Sequence, residues 1–596
     1  MSKTPRATQT STSAKRRPST GRSRRKSEDL DLACNAQERE LAGAAVNHTL
    51  AGNPLVSVRP ADLAASAGHL FKAVGKAPIK AGRHFGGYLK ELRGIVGGTS
   101  SVAPNARDKR FADPAWQSNY LLRALLQSYL AGQSELNRFI ETSDLAPLEK
   151  ARAQFVASLL ADAVAPSNVL LTNPTALRKL VDTGGMNLVR GVRQFTHDLL
   201  NNRGLPAQVD STPFKVGENI ATAKGEVVFR NDMFELLQFA PTTERVHARP
   251  LVMSPPQINK YYAIDLSPEK SLIKWIQDSG VQLFVISWRN PTSEHRDWGL
   301  SDYALCLDEA VDVARKITGS PDVNMWGSCS GGITLAAYLG WLAARGEGHK
   351  VANTSWAVCV LDMPAALDDS TLGLFTTPSA LRAAKASSRR KGVLSGQDMA
   401  RMFAWMRPND LIWNYWVNNY LLGKQPPAFD ILYWNNDNTR LPAALHGDFL
   451  DCFRLNALSH AGGLEVCGTP IDLQKVTVDS FSVAGVNDHI TPWDTAYRSA
   501  LLLGGNRRFI LSNSGHIQSI LNPPGNPKAT YLEHGTLSPD PRAWYSEAQR
   551  HDGSWWPEWL GWIQARSGEQ RAARSVLGNQ NHPPMEAAPG TYVHVR

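Results

Sequence analysis

A cysteine placed between glycines is the residue of this 596-residue chain best suited to covalent chemistry. Cys329 lies in the sequence GSCSG at residues 327–331, directly after a short apolar run that ends at Trp326. Glycines two positions before and after a nucleophile allow a strand to turn sharply into a helix without a clash of Cβ atoms. The apolar residues that follow predict such a helix, and its N-terminus would favour a thiolate. A lone cysteine is more often simply buried, but this context predicts a nucleophile elbow with sulfur as the attacking atom.

Two further residues have the types and positions that such a nucleophile needs. A thiol is mostly protonated at neutral pH, so Cys329 requires a base. His516 follows the last predicted strand, at residues 509–511, and Asp488 also follows a predicted strand. The chain order Cys329, Asp488, His516 is the nucleophile, acid and base order of α/β-hydrolases. The sequence therefore predicts a triad of these three residues, with His489 as a rival for the base.

Acyl transfer through this triad would need hydrogen-bond donors for the oxyanion. We expect one donor to be the backbone N–H of Ser330, directly after the nucleophile. The second should come from the loop after the strand that ends at Met253, at Gln257 or Ile258, and we assign it to Ile258.

The elements around these residues alternate between short apolar runs and helical patterns from about residue 217 onwards. The runs before the elbow are at residues 227–229, 250–253, 283–286 and 323–326, and those after it are at 356–361, 476–483 and 509–511. Such alternation predicts a parallel sheet. With the order of the triad, it predicts the α/β fold class and, for residues 201–596, an α/β-hydrolase fold.

An insertion at about residues 364–472 interrupts this pattern after the elbow. It contains a dense aromatic stretch at residues 403–434, including Trp405, Trp413 and Trp416. So much apolar surface must be covered. We therefore expect a mobile lid here that covers Cys329 in the resting protein.

The chain before residue 201 has a different character. Residues 1–27 contain nine Lys or Arg and no acidic residue, and so hold nearly all of the net charge of +10. Having few apolar residues, they predict a disordered tail within residues 1–50. Nucleic acid, an anionic surface or an acidic partner would bind such a tail, and a merely solvated tail is an equal alternative. Residues 51–200 predict a mainly α-helical domain that begins with a basic amphipathic segment at 54–98.

The composition argues against several other classes of protein. The six cysteines, Cys34, Cys306, Cys329, Cys359, Cys452 and Cys467, are scattered, which predicts neither a disulfide framework nor a zinc site. The sequence has no stretch of 18 or more consecutive apolar residues that would form a membrane helix. We expect a reduced, soluble, cytoplasmic protein without a metal or cofactor.

Five sequence segments resemble those of polyhydroxyalkanoate synthases, most closely the class II type. They are SWRNP at 287–291, GSCSGG at 327–332, PNDLIWNYW at 408–416, NDHITPW at 487–493 and GHIQSILNPPG at 515–525. The resemblance covers the chain from about residue 55 to its end, whereas the basic tail departs from the family pattern. It makes Trp288, Arg289 and His489 further candidates for substrate or lid contacts.

This resemblance implies an acyltransferase that polymerises (R)-3-hydroxyacyl-CoA, with medium-chain units, through an acyl group on Cys329. CoA would be a leaving group of the substrate rather than a cofactor. The resemblance also implies a homodimer at the surface of a storage granule, in contact with the growing polyester and with phasin-type proteins. Asp488 would either orient His516 or assist the incoming hydroxyl.

Two other functions fit parts of the sequence. A thioesterase or polyester depolymerase would use the same triad with water as the acceptor. A non-catalytic granule-surface protein would use the amphipathic N-terminal region alone, and the complete triad argues against that alternative.

Overall fold

The computed structural model describes residues 60–106, 108–202, 204–362, 378–396, 398–399, 408–488 and 490–596 of the chain. The basic tail, Trp405 and His489 lie outside these residues, so what the sequence predicts for them stays a prediction.

Seven α-helices precede the first strand in the described part of the chain. They are α1 (Pro60–Lys76), α2 (Pro78–Val96), α3 (Ala115–Ser118), α4 (Tyr120–Thr142), α5 (Pro147–Ala163), α6 (Pro174–Asp182) and α7 (Met186–Asn201). The basic amphipathic segment forms α1 and α2, and Pro78 begins the second of them because proline fits the first turn of a helix. Its apolar side chains stay largely exposed, with Phe71 at 76% and Ile79 at 79%.

Eleven strands of the described chain then form one sheet. They are β1 (Gly225–Arg230), β2 (Phe234–Phe239), β3 (Leu251–Ser254), β4 (Leu283–Trp288), β5 (Val323–Ser328), β6 (Val351–Ala357), β7 (Asp479–Gly485), β8 (Arg507–Ser512), β9 (Thr530–Glu533), β10 (Gln549–Asp552) and β11 (Glu586–Ala587). Their order across the sheet is β10-β9-β8-β7-β6-β5-β3-β4-β2-β1-β11. The neighbours from β8 to β4 are parallel, and the outer strands on both sides are antiparallel.

The remaining helices cover the sheet or belong to the insertion. They are α8 (Leu272–Gln277), α9 (Leu300–Thr318), α10 (Ser330–Arg345), α11 (Pro378–Lys391), α12 (Asp430–Asn436), α13 (Ala443–Leu455), α14 (Trp493–Leu501), α15 (His516–Ile520), α16 (Pro541–Glu547) and α17 (Trp556–Gln564). Short strand pairs join Arg245–His247 to Gln570–Ala572, Val393–Leu394 to Leu441–Pro442, and Glu465–Val466 to Thr469–Pro470.

Successive residues of the central strands pack into two different apolar clusters, because side chains alternate between the faces of a sheet. In β5, Met325 packs with residues of α9 and α10, whereas Trp326 packs with the tryptophans of α17. Two faces covered by helices agree with a mainly parallel sheet.

The parallel strands end at one edge of the sheet, and each of the three predicted triad residues follows one of these ends. The fold class predicted from the sequence, an α/β-hydrolase fold with an insertion and a helical N-terminal region, is confirmed. The strand predicted from residue 476 begins only at Asp479. Val476 instead closes the 3₁₀ turn at Leu473–Lys475 by donating its N–H to Leu473 O at 3.0 Å, and pairing starts only with Asp479 opposite Asn353 and Ser480 opposite Arg507.

Between β6 and β7, the described part of the insertion contains two stretches of π-helix, Asn409–Trp413 and Trp416–Leu421. This conformation is rare and often marks functional regions. No described helix is both long enough and apolar enough to cross a membrane.

Candidate active site

Cys329 occupies a sharp turn between β5 and α10. Its backbone has φ 48° and ψ −124°, a conformation that costs energy for a residue with a side chain. The Cys329 N–H donates to Ala357 O at 3.1 Å, which ties the turn to β6. A Cβ atom on Gly327 would lie 2.9 Å from Gly332 Cα, so the glycines permit this close approach, as the sequence predicts. The thiol is held at the edge of the sheet in a half-buried position.

Asp488 and His516 come together beside this turn. The His516 ring Nδ1 lies 2.7 Å from Asp488 Oδ2, although the two residues are 28 positions apart. Both side chains are buried, with Asp488 fully enclosed. The Cys329 side chain is close enough to His516 to help raise the pKa of its ring. Because Nδ1 holds Asp488, Nε2 is the ring nitrogen left for the thiol, and the structure thus brings all three predicted triad residues together.

Four hydrogen bonds fix the Asp488 carboxylate. Its Oδ1 accepts from the N–H groups of Ile490 at 2.8 Å and Thr491 at 3.0 Å. Its Oδ2 accepts from the Thr491 hydroxyl at 2.6 Å in addition to His516. The sequence prediction omits Thr491, although an Asp followed by a Thr three residues later is a recognisable turn signal. With both oxygens occupied and buried, Asp488 is arranged to act on His516.

The surroundings make His516 strongly basic. Burial lowers the pKa of this imidazole, but the negative charge and hydrogen bond of Asp488 raise it more, and Cys329 adds a smaller rise. The resulting pKa is about 10, compared with 6.5 for an ordinary histidine. His516 is therefore arranged to hold a proton taken from a thiol or a hydroxyl.

The loop after β3, residues 255–260 and called the β3 loop below, lies against the start of α10. Residues 255 and 256 are prolines without N–H groups, so the first backbone donors after the strand belong to Gln257 and Ile258. The Gln257 side chain accepts from the Ser330 hydroxyl at 3.1 Å and donates to Thr334 at 2.9 Å. These bonds hold the β3 loop beside the elbow.

Both predicted oxyanion donors are available for a ligand. The Ser330 N–H belongs to the first residue of α10, where an N–H has no acceptor within the helix. The Ile258 N–H has no acceptor among the described residues. These positions agree with an oxyanion hole, and the assignment to Ser330 and Ile258 stays a prediction.

Trp288 and Arg289 make structural contacts at the end of β4. The Trp288 indole N–H donates to Pro255 O at 2.9 Å and so supports the β3 loop. The Arg289 guanidinium lies over the Tyr592 ring, 5.5 Å from its centre. In the described structure, neither side chain has a hydrogen bond or ring contact with the triad.

Trp413 and Trp416, the two described lid candidates, belong to the π-helical segments. The Trp416 indole N–H donates to Asn168 O at 3.1 Å, so this residue attaches the insertion to the helical region. Trp413 is half-buried against the apolar cluster that includes Trp326. The structure does not test whether either residue contacts substrate.

Helix α7 and the second π-helical segment share a buried polar interface. The Tyr420 hydroxyl donates to Asp198 Oδ2 at 2.8 Å, and Asn187 Nδ2 donates to Leu421 O at 2.7 Å. A Cβ atom on Gly191 would overlap the Tyr420 carbonyl, so only glycine permits this approach. The helical region therefore holds the insertion from outside the catalytic fold.

The turn between β5 and α10, with the acid and base after β7 and β8, defines an enzyme of the α/β-hydrolase fold. A family model described as alpha/beta hydrolase fold matches residues 259–523. A second model, described as Poly-beta-hydroxybutyrate polymerase (PhaC) N-terminus, matches residues 107–276.

Three relatives identify the family. The chain is 53% identical to Poly(3-hydroxyalkanoate) polymerase 2 of Ectopseudomonas oleovorans, over 91% of this chain and 96% of the relative. It is 51% identical to Poly(3-hydroxyalkanoate) polymerase 1 of the same organism, over 94% and 100%. It is 37% identical to Poly(3-hydroxyalkanoate) polymerase subunit PhaC of Cupriavidus necator, over 87% and 89%. The chain therefore belongs to the poly(3-hydroxyalkanoate) polymerase family and is an acyltransferase, which confirms the resemblance found in the sequence.

Proposed function

We propose that this protein polymerises medium-chain (R)-3-hydroxyacyl-CoA into polyester, with Cys329 as the covalent carrier and CoA as the leaving group. The observation that carries the proposal is that Cys329, at the turn after β5, lies beside the buried, hydrogen-bonded pair of His516 and Asp488. Such a series activates a nucleophile for acyl transfer. Class II resemblance supports the medium-chain substrate.

In the first step, His516 takes the thiol proton and Cys329 attacks the thioester carbonyl of the substrate. The backbone N–H groups of Ser330 and Ile258 stabilise the oxyanion that forms. The bond from the carbonyl carbon to the CoA sulfur then breaks, and CoA leaves with the proton from His516. One thioester replaces another of nearly equal energy, so the step needs little driving force.

In the second step, the 3-hydroxyl of an incoming hydroxyacyl-CoA attacks the acyl group on Cys329. His516 takes the hydroxyl proton and returns it to the Cys329 sulfur as the thioester bond breaks and the ester forms. The lengthened chain, still a CoA thioester, returns to Cys329 with release of CoA. Asp488 serves both steps through His516, because its two oxygens are already occupied.

The reaction also requires that the hydroxyl reach the acyl group in preference to water. The aromatic insertion contributes Leu411, Ile412 and Tyr433 to the apolar cluster that also contains Trp326, and such apolar surface is suited to excluding water. We propose that this insertion is the lid predicted from the sequence. No metal or cofactor is needed in this scheme, because the substrate arrives as an activated thioester.

We further propose that the protein works as a homodimer at the surface of the polyester granule in the cytoplasm. Exposed apolar side chains on α1, α2, α6 and α7 support contact with an apolar surface or with phasin-type proteins; examples are Phe71, Ile79, Val181 and Leu200. The role of the basic tail, including any binding of nucleic acid, stays a separate hypothesis.

The test replaces the nucleophile and follows both products. Cys329→Ala should release no CoA and form no polymer, and Cys329→Ser should retain at most a trace, because serine needs stronger activation. Cys452→Ala is the matched control, since Cys452 is buried in α13. Normal turnover by Cys329→Ala would refute the mechanism. Free 3-hydroxy acid in place of insoluble polymer would favour the thioesterase or depolymerase alternative.

A further inference from the structure

The β3 loop ends in a lysine whose burial calls for an explanation. The side chain of Lys260 is only 2% exposed, and lysine is rarely so buried unless it is paired. Asp437, the nearest carboxylate, lies 3.9 Å away and accepts from the Tyr262 hydroxyl at 2.7 Å. The direct partners of Lys260 are instead backbone carbonyl groups: its Nζ donates to Val593 O and, at 2.8 Å, to Val595 O.

A second anchor holds the same segment, Thr591–Arg596, from the other side. The Glu235 carboxylate is completely buried and accepts from the N–H groups of Thr591 at 3.1 Å and Tyr592 at 3.0 Å. Val593 is itself buried in the apolar core. Glu235 therefore fixes the segment before Val593, and Lys260 fixes it at Val593 and Val595.

Hydrogen bonds from the insertion also hold the β3 loop, in addition to the contact made by Lys260. The Thr439 hydroxyl donates to Gln257 O at 2.5 Å, and the Thr439 N–H donates to Ile258 O at 3.3 Å. Asn290 donates to Val595 O at 3.2 Å and accepts from Arg440 N at 2.9 Å. Thr439 thus fixes the carbonyl groups of Gln257 and of the proposed donor Ile258, and Asn290 joins the insertion to the 591–596 segment.

We infer that Lys260, by binding the 591–596 segment, positions the β3 loop so that its N–H groups meet the oxyanion during acyl transfer. This inference rests on the proposed function. Lys260 is a positioning residue and does not touch the reacting atoms. Without the Lys260 side chain, the carbonyl groups of Val593 and Val595 no longer connect the 591–596 segment to the β3 loop. Complete removal of one oxyanion donor typically lowers turnover by about 10²–10³.

Two reactions of the Cys329 thiol distinguish a loss of oxyanion-donor positioning from general damage to the site. Acylation by 3-hydroxyacyl-CoA passes through an oxyanion, whereas alkylation by iodoacetamide displaces iodide at carbon and forms none. We therefore expect Lys260→Met, which keeps the side-chain length, to lower the single-turnover rate of CoA release by about 10- to 100-fold. The rate of Cys329 alkylation should stay within about twofold, because the Cys329–His516 pair is intact.

The matched control is Lys350→Met, which removes another largely buried lysine at the opposite end of the sheet, before β6. Both rates should match the unmodified protein. As a second variant, a chain that ends at Gly590 should show the same selective loss, and adding the peptide TYVHVR should restore CoA release.

A normal rate of CoA release in Lys260→Met would overturn the inference, and so would a parallel fall in alkylation. Unfolding of both variants would also contradict it, because the segment would then serve the whole fold. Failure of the proposed function is distinguishable, since it would appear as CoA release by Cys329→Ala.

Discussion

Asp488→Asn should slow elongation much more than the first acylation. The substitution replaces one carboxylate oxygen with an NH₂ group that cannot accept, and it removes the charge that contributes most to the rise in the pKa of His516 from 6.5 to about 10. That rise corresponds to about 5 kcal/mol of preference for the protonated ring. If about half of it is felt in the transition state, a step that depends on the basicity of His516 loses about 2–3 kcal/mol, or on the order of 10²-fold.

The two steps differ in this dependence because a hydroxyl is a far weaker acid than a thiol. Acylation needs a proton from Cys329 and tolerates a weaker base, whereas elongation needs a proton from the 3-hydroxyl of the substrate. We therefore expect elongation to fall on the order of 10²-fold and acylation by less than about 10-fold.

A rapid-quench experiment resolves both steps from the first and later equivalents of CoA released. Asp265→Asn is the control, because Asp265 is also buried and accepts from Ser271 and Ala223 but has no bond to the triad. Equal losses in the two steps, or a larger loss in acylation, would refute the argument from basicity.

Three further predictions concern the same elements. The raised pKa of His516 stabilises the fold fully below about pH 6.5, and this contribution is lost as pH rises through about 10. In urea unfolding, the difference in free energy of unfolding between the unmodified protein and His516→Gln should therefore shrink by a few kcal/mol across that window. A difference that stays constant with pH would contradict this prediction. Gly332→Ala should lower the free energy of unfolding by about 1–3 kcal/mol, because its Cβ would overlap Cys359 Sγ, and Cys359→Ala should recover part of this loss; no recovery would locate the clash elsewhere. Tyr420→Phe removes the hydrogen bond to Asp198 and should speed both proteolysis within residues 408–423 and alkylation of Cys329. An unchanged rate of alkylation would mean that the interface between α7 and the insertion does not control access to the thiol.

The sequence predicts those parts of the site that depend on local backbone geometry. Cys329 is recognisable from its glycines, and Asp488 and His516 are recognisable from the strands before them. Thr491 carries a weaker local signal, since a Thr three residues after an Asp occurs in many turns. The strand around residue 480 is predicted too early, because Val476 closes a 3₁₀ turn and pairing starts only at Asp479.

The contacts of Lys260 have no local signal at all. Its partners are 333 and 335 positions away, and Lys in a loop after a strand ordinarily predicts solvent exposure. The π-helical stretches in the insertion are equally hidden, because their register depends on bonds from α7 and from the connection that carries Asn168. Such features follow from tertiary packing, which no window of sequence contains.

The distance along the chain between Lys260 and its partners has a consequence for the order of assembly during synthesis. Translation proceeds from the N-terminus, so the elbow, the β3 loop and the acid and base all leave the ribosome before Val593 and Val595. The contact at 2.8 Å between Lys260 and Val595 O therefore forms only after residue 595 has been synthesised. A nascent chain with its sheet already built still lacks this support of the β3 loop. The supports of the β3 loop are therefore complete only in chains whose synthesis has passed residue 595.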